Sequence, residues 1–225
     1  MKFIFVRHGN PNYELDCLTE LGHKQAAAAA DKLCKMGIEK IYSSSCGRAV
    51  ETAEYTATRL LLDVHQCDFM RELNWAPKDS SRPYADGSPW GIASRYLKEN
   101  RSLIDLAWKE DAFFAQTYTP QNASLLADEL DNWLQSLGIK REGDYYRIEK
   151  PQYDTVAMFC HAGIFAAAIT HIFNLPFPFA VLSIPCPQTG ISIIEFKGLN
   201  NELVAPRLCM AGNIDHLKDS NLEIT

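Results

Sequence analysis

Five side chains in this sequence are equipped for one chemistry: Arg7, His8, Arg48, Glu72 and His161. Two guanidinium groups are planar forks that match phosphate oxygens. Two neutral imidazoles offer a nucleophile and a second hydrogen-bonding group. One carboxyl offers a proton. Such a set transfers a phosphoryl group without a metal. Singly, each has a plainer reading. Arg7 and His8 are then solvated groups at a strand end, Arg48 a surface arginine paired with Glu51 or Glu54, and Glu72 a solvated loop carboxylate. Position argues for the set, because each group follows an apolar strand or the turn after it.

The positioning elements read as repeated strand–turn–helix units. Phe3, Ile4, Phe5 and Val6 form a buried strand that ends in Arg7, His8 and Gly9. A buried strand has no reason to end in two costly polar groups unless something there uses them. In an open α/β sheet, ligands bind beyond the carboxyl ends of the strands. A carbonyl at Gly9 would fix the His8 tautomer and leave its other nitrogen bare. After a turn-rich stretch from Asn10 to Asp16, Thr19 is the expected N-cap of an alanine-rich helix. That helix runs to about Met36, with Gly37 as its stop signal. His23 on this helix reads as exposed rather than catalytic. A second strand, 38–43, leads through Ser43, Ser44 and Ser45 to Arg48 in the first turn of a helix ending near Leu62. A cation there opposes the helix dipole unless an anion is present, so an anion site is expected. Val64 to Cys67 is a short strand before Glu72, whose apolar neighbours favour a raised pKa.

Residues 73–121 read as an insertion, with loops at Pro77, Pro83, Gly87 and Pro89 and a helix over about 92–109. Its many aromatics form either a satellite core or a lid over a ligand. Asn122 or Ser124 is the expected cap of a helix over 125–137. Thr155 to Cys160 is a continuous apolar strand ending in His161, Ala162 and Gly163, followed by an apolar helix to Phe173. Strands are expected at 181–184, 191–196 and 203–208. The polar tail, Gly212 to Leu217, is placed to close over the edge of the site.

At 225 residues, with 47% hydrophobic and 22% charged residues, the chain suits one α/β domain with a sizeable core. A net charge of -6 and the lack of a basic block argue against nucleic acid. No apolar run has the length of a membrane span. The strand at Phe3 leaves no room for a signal peptide, and seven cysteines without a Cys-x-x-Cys pair fit reduced thiols. A cytoplasmic location is therefore expected. No His-x-His or His-Glu-x-x-His pattern calls for a metal, and no cofactor is expected.

Four blocks resemble the histidine phosphatase superfamily, also called the phosphoglycerate mutase-like family. They are Arg7-His8-Gly9; Leu18 to Ala26; Tyr42-Ser43-Ser44 with Arg48 to Ala53; and His161-Ala162-Gly163. The blocks cover the first 72 residues and roughly 155–217, and leave out the insertion. The resemblance implies a three-layer α/β/α sandwich with a mostly parallel central sheet. It implies that His8 is phosphorylated in turnover, that Arg7, Arg48 and His161 hold the phosphoryl oxygens, and that Glu72 donates the proton. Asn10 and the backbone of Gly163 are further candidate phosphate contacts. Ala162 stands where the family often has glycine.

Within the family, phosphatases and mutases differ in whether water or a second hydroxyl accepts the phosphoryl group. A mutase holds a highly anionic bisphosphate and needs extra cations. Between Asp68 and Pro120 there are seven Lys or Arg and eight Asp or Glu, so the insertion is near neutral as well as aromatic. The expectation is a phosphatase acting on small phosphomonoesters with some apolar or planar surface. The alternatives are a phosphoglycerate mutase-type phosphotransferase and a non-catalytic protein that binds phosphorylated ligands.

Overall fold

The computed structural model describes residues 1–75, 88–220 and 222. In chain order the elements are β1 (Lys2–Arg7), β2 (Pro11–Asn12), β3 (Cys17–Leu18), α1 (Glu20–Leu33), β4 (Lys40–Ser44), α2 (Gly47–Leu60) and β5 (Val64–Cys67). Then come α3 (Pro89–Lys98), α4 (Thr119–Ser136), β6 (Ile139–Glu142), β7 (Tyr145–Ile148), β8 (Thr155–Cys160) and α5 (Ala162–Phe173). The chain continues with α6 (Phe177–Ser183), β9 (Ile191–Glu195), β10 (Leu203–Val204), β11 (Arg207–Asn213) and α7 (Asp215–Asp219).

The main sheet has the order β11-β9-β1-β8-β4-β5. β1, β8, β4 and β5 run parallel, and β9 turns antiparallel against β1. Successive β1 side chains point to opposite faces of the sheet. Phe3 and Phe5 pack in one apolar core with α4, α5 and α6, while Ile4 and Val6 pack in a second with α1 and α2. Both faces are covered, which is why β1 and β8 read as unbroken apolar runs. The result is a three-layer α/β/α arrangement. The alanines of α1 let it approach the sheet closely, and Ala26, Ala29 and Ala30 are fully buried. A small sheet, β10-β7-β6, lies beside it. No helix among the described residues is long and apolar enough to cross a membrane.

Register sets the site. Arg7 pairs with Cys160 across β1 and β8, and the His8 N–H donates to the Cys160 carbonyl at 3.0 Å. Ser43 pairs with Phe159, and Ser44 with Cys67. The carboxyl ends of four parallel strands thus finish level, and His8, Ser44 and His161 emerge side by side.

Several expected elements differ. Residues 181–183 end helix α6 and Ile184 is its extended C-cap, so no strand forms there; Pro178 sits in the first helical turn, where its missing N–H costs nothing. Helix α3 ends at Lys98, where Asn100 adopts a left-handed φ of 52°, so it does not reach Lys109. Helix α4 starts at Thr119, again with proline in its first turn. Asn122 and Ser124 lie inside it and do not cap it. The expected 203–208 strand is two, β10 and β11. The loops expected at Pro77, Pro83 and Gly87 lie outside the described residues, while Pro89, expected in a loop, opens helix α3, where its missing N–H costs nothing. The described aromatics of the 73–121 insertion divide between two roles. Tyr96, Trp108 and Phe114 pack with Phe177 as core, whereas Trp75 and Trp90 line a cleft.

Candidate active site

His8 leaves β1 at the level of the sheet edge and is 2% exposed. Its Nδ1 donates to the Gly9 carbonyl at 2.7 Å. This fixes the tautomer and leaves Nε2 without a hydrogen-bond partner among the described residues. Burial lowers the His8 pKa to about 3, and the charges of Arg7 and Arg48 add to the effect. The imidazole is therefore neutral at ordinary pH. The Gly9 N–H donates to Thr52 Oγ1 at 3.0 Å. Gly9 is glycine because a Cβ there would lie 2.7 Å from the Gly22 carbonyl oxygen at the start of α1. The close approach is made by the backbone of a helix.

His161 is fully buried, and its ring centre is 5.1 Å from that of His8. Its Nδ1 accepts from Arg48 Nη2 at 3.1 Å, so its Nε2–H donates to Ser44 Oγ at 2.8 Å. Burial lowers its pKa to about 2, with His8 and Arg48 adding to the effect. Ser44 was not singled out from sequence, although it ends a buried strand in a polar group as His8 does.

Arg48 lies in the first turn of α2 and is buried at 9% exposure. Its partner is neither Glu51 nor Glu54. Nη1 pairs with Asp16 Oδ1, while Asp16 Oδ2 accepts the Gly47 N–H at 2.8 Å. Glu51 instead accepts the Leu18 N–H. The anion expected at this helix start is thus a carboxylate of the chain itself. Asp16, at φ 50°, sits in a stretch the sequence marked only as turn-rich. The Arg48 guanidinium also lies 5.3 Å over the Tyr13 ring, and Tyr13 stands edge-on to His8. Arg7 Nη1 donates to the Cys186 carbonyl at 2.8 Å, and Nε has no partner among the described residues.

Glu72 crosses to the start of α5. Oε1 accepts from the Leu73 and Ile164 N–H groups at 2.9 Å each, and Oε2 from Gly163 N–H at 3.2 Å. Burial raises its pKa and outweighs these donors, which pull the other way. The Gly163 N–H is therefore occupied by Glu72, which corrects its expected phosphate role. A Cβ on Gly163 would lie 2.6 Å from Trp75 Cζ3 and 2.8 Å from Glu72 Oε1. Asn10 is held against α1. Its N–H donates to Gln25 Oε1 and its Oδ1 accepts from Thr19 Oγ1. Arg7, His8, Arg48, Glu72 and His161 converge, whereas Asn10 is turned toward the helix.

The tail supports the site from behind rather than covering it. Thr189 N–H reaches both the Arg7 and His8 carbonyls, at 3.1 and 3.3 Å. Its hydroxyl meets His216 Nε2 of α7 at 3.0 Å. The tail residues are absent from the cleft beside the site. That cleft, of about 620 Å³, is bounded at its polar end by Arg7, Tyr13 and Glu72, with Trp75, Trp90 and the 181–187 segment as walls. Among the described residues, no group of three or more His, Cys, Asp or Glu is arranged to hold a metal ion.

The sequence profile of the histidine phosphatase superfamily (branch 1) matches residues 3–83. The mitochondrial serine/threonine-protein phosphatase Pgam5 of Drosophila erecta is 31% identical over 128 residues, which is 52% of this chain and 42% of that protein. The chain thus spans about two fifths of the length of that relative. Glucosyl-3-phosphoglycerate phosphatase of Mycobacterium tuberculosis is 27% identical over 186 residues, 78% of this chain and 76% of that one. Among solved structures, a mutant phosphoserine phosphatase of Entamoeba histolytica in complex with phosphoserine superposes with a TM-score of 0.60. It shares 21% identity and covers 96% of this chain and 98% of its own, a likeness that carries the fold. The matched segment spans β1 with Arg7 and His8, the start of α2 with Arg48, and Glu72, so the residues that build the site lie largely where the chain is similar to the histidine phosphatase superfamily.

Proposed function

We propose that the chain hydrolyses small phosphomonoesters through a phosphohistidine on His8, without a metal. The observation that carries this reading is the 2.7 Å bond from His8 Nδ1 to the Gly9 carbonyl, which presents a neutral ring with Nε2 bare. In the first step Nε2 attacks phosphorus as the bond to the ester oxygen breaks, and Glu72 gives that oxygen its proton. Oε2 makes one long bond where Oε1 makes two short ones, so Oε2 carries the proton. The phosphorylated ring keeps its Nδ1–H, and its positive charge is shared with the Gly9 carbonyl. In the second step the Glu72 carboxylate takes a proton from water. The water oxygen attacks phosphorus, the N–P bond breaks, and neutral His8 and inorganic phosphate result. Arg7 and Arg48 stabilise the equatorial oxygens as charge moves onto them.

The cleft favours hydrolysis over mutase chemistry. Its described lining holds one cation, Arg7, at the reacting end, and a retained bisphosphate needs a second cationic group. A reducing compartment such as the cytoplasm belongs to the same proposal, supported by seven free cysteines. The test is turnover of an aryl phosphate in chelator, with acid-free trapping of the phosphoenzyme. Loss of turnover in chelator with rescue by metal, or label on a residue other than His8, rejects the reading.

A further inference from the structure

The cleft that leads away from Glu72 selects the ester group. Apart from the Cys186 thiol, which burial pushes up to about 12, its ionisable groups among the described residues are Arg7, Tyr13 and Glu72, all at the end where the phosphoryl group reacts. Beyond them the described walls are mostly apolar, with Ser183 and Cys186 as the exceptions. Trp75 and Trp90 meet at 5.4 Å with their planes at 85°, which presents one ring face and one ring edge. Phe165, Val181, Leu182 and Ile184 form the facing side. Both sides are tied to the reacting groups. Trp75 packs on Gly163, which binds Glu72, and the Cys186 carbonyl of the opposite wall accepts from Arg7. An ester carbon attached to the oxygen that Glu72 protonates therefore enters the apolar space at once. A carboxylate or second phosphate on that carbon skeleton would lose water there, and among the described lining residues no cation beyond Arg7 replaces it.

We infer that this site, read as a phosphomonoesterase, takes esters whose alcohol part is uncharged and apolar, an aryl group or an alkyl chain, and discriminates against alcohols that carry a second anionic group. The volume suits an occupant of that kind, since ligand sites of about 300–1,000 Å³ bury most of a ligand whose surface is largely apolar. The inference rests on the phosphatase reading, and the experiment separates the two.

Hexyl phosphate, ethyl phosphate and phosphoserine all have alkyl leaving groups. Comparing kcat/KM among them reads the alcohol part with little contribution from leaving-group acidity. The expected result is a value for hexyl phosphate at least about tenfold above ethyl phosphate and more than about a hundredfold above phosphoserine, since each tenfold is 1.4 kcal/mol and a few buried methylenes supply that. Ile184→Lys, on the half-buried rim, should lower the hexyl-to-ethyl ratio and raise the phosphoserine-to-ethyl ratio. Trp90→Ala should lower the hexyl-to-ethyl ratio without raising that for phosphoserine. Equal values for hexyl and ethyl phosphate, or phosphoserine equal to or better than hexyl phosphate, overturn the inference while leaving the phosphatase reading intact. No turnover of any ester and no phosphoenzyme overturn the phosphatase reading and the inference with it.

Discussion

Among single residues, environment separates groups that the sequence presents as equals. His8 and His161 both follow apolar strands, yet one ring has a bare nitrogen and the other has both engaged, by Arg48 and Ser44. His8→Ala should therefore abolish turnover and phosphoenzyme together. His161→Ala should leave a slow phosphoenzyme on His8, read by labelled substrate quenched without acid, because the N–P bond is acid-labile. Normal turnover of His8→Ala would reject this assignment. Glu72 is raised by burial, so it holds its proton above the ordinary carboxyl range. For alkyl esters kcat/KM should fall as pH rises through that pKa, and Glu72→Gln should cost ~10²–10⁴-fold. Aryl esters with acidic leaving groups need less protonation and should lose less on both counts. His8 titrates at about 3, so its protonation produces no acid limb between pH 5 and 7. Equal losses for the two ester classes would remove Glu72 from the acid role.

Two helix starts govern the elements around the site, and a carboxylate from elsewhere in the chain meets each. Asp16 meets the first turn of α2 and Glu72 that of α5. Free N–H groups and the dipole make such places anion sites. At α2 the bound carboxylate also orients Arg48. Arg48→Lys keeps the charge but cannot reach Asp16 and His161 together with one planar fork. It should lower kcat/KM by on the order of 10²-fold, the usual size for removing one preorganised donor. Near-normal kinetics would make Arg48 a bystander. At α5 the carboxylate fits only because residue 163 lacks a Cβ. Gly163→Ala should displace Trp75 and Glu72, and alkyl ester turnover should fall well over tenfold while far-UV circular dichroism stays native. Unchanged kinetics would mean that the ring and carboxylate relax at no cost.

In the whole molecule, the buried imidazoles set the stability profile. Burial lowers His8 to about 3, His161 to about 2 and His216 to about 4, from an ordinary 6.5. Below pH 6.5 the unfolded chain takes up protons that the fold refuses, so stability falls as pH falls, down to the folded pKa values. At pH 5 each such histidine costs about 2 kcal/mol, and the three together on the order of 6 kcal/mol. Glu72 acts in the opposite direction, since its raised pKa penalises the fold as pH rises above about 4.5, but it is one group against three. Denaturant midpoints should therefore drop clearly between pH 7 and pH 5, and bound phosphate should not be needed to see it. A flat profile would mean that these rings titrate normally.

The sequence by itself determined the strands β1, β4, β5 and β8, the helices α1, α2 and α5, and five converging site residues. These features depend on near neighbours along the chain. Strand and helix periods, caps and the cost of a polar group ending an apolar strand are all local. The tertiary structure decided what those groups bind. Asp16 reaches Arg48 across 32 residues, Ser44 reaches His161 across 117, and Cys186 reaches Arg7 across 179. No pattern along the chain encodes such pairs, because they arise from sheet register and from helix starts meeting distant loops. The ends of α3 and α4 and the helical state of α6 were decided there too, since prolines in first turns are neutral to the helix and read as breaks from sequence. The neutral state of His8 belongs to the same class: it follows from loss of water, and only the packed fold removes water from a side chain.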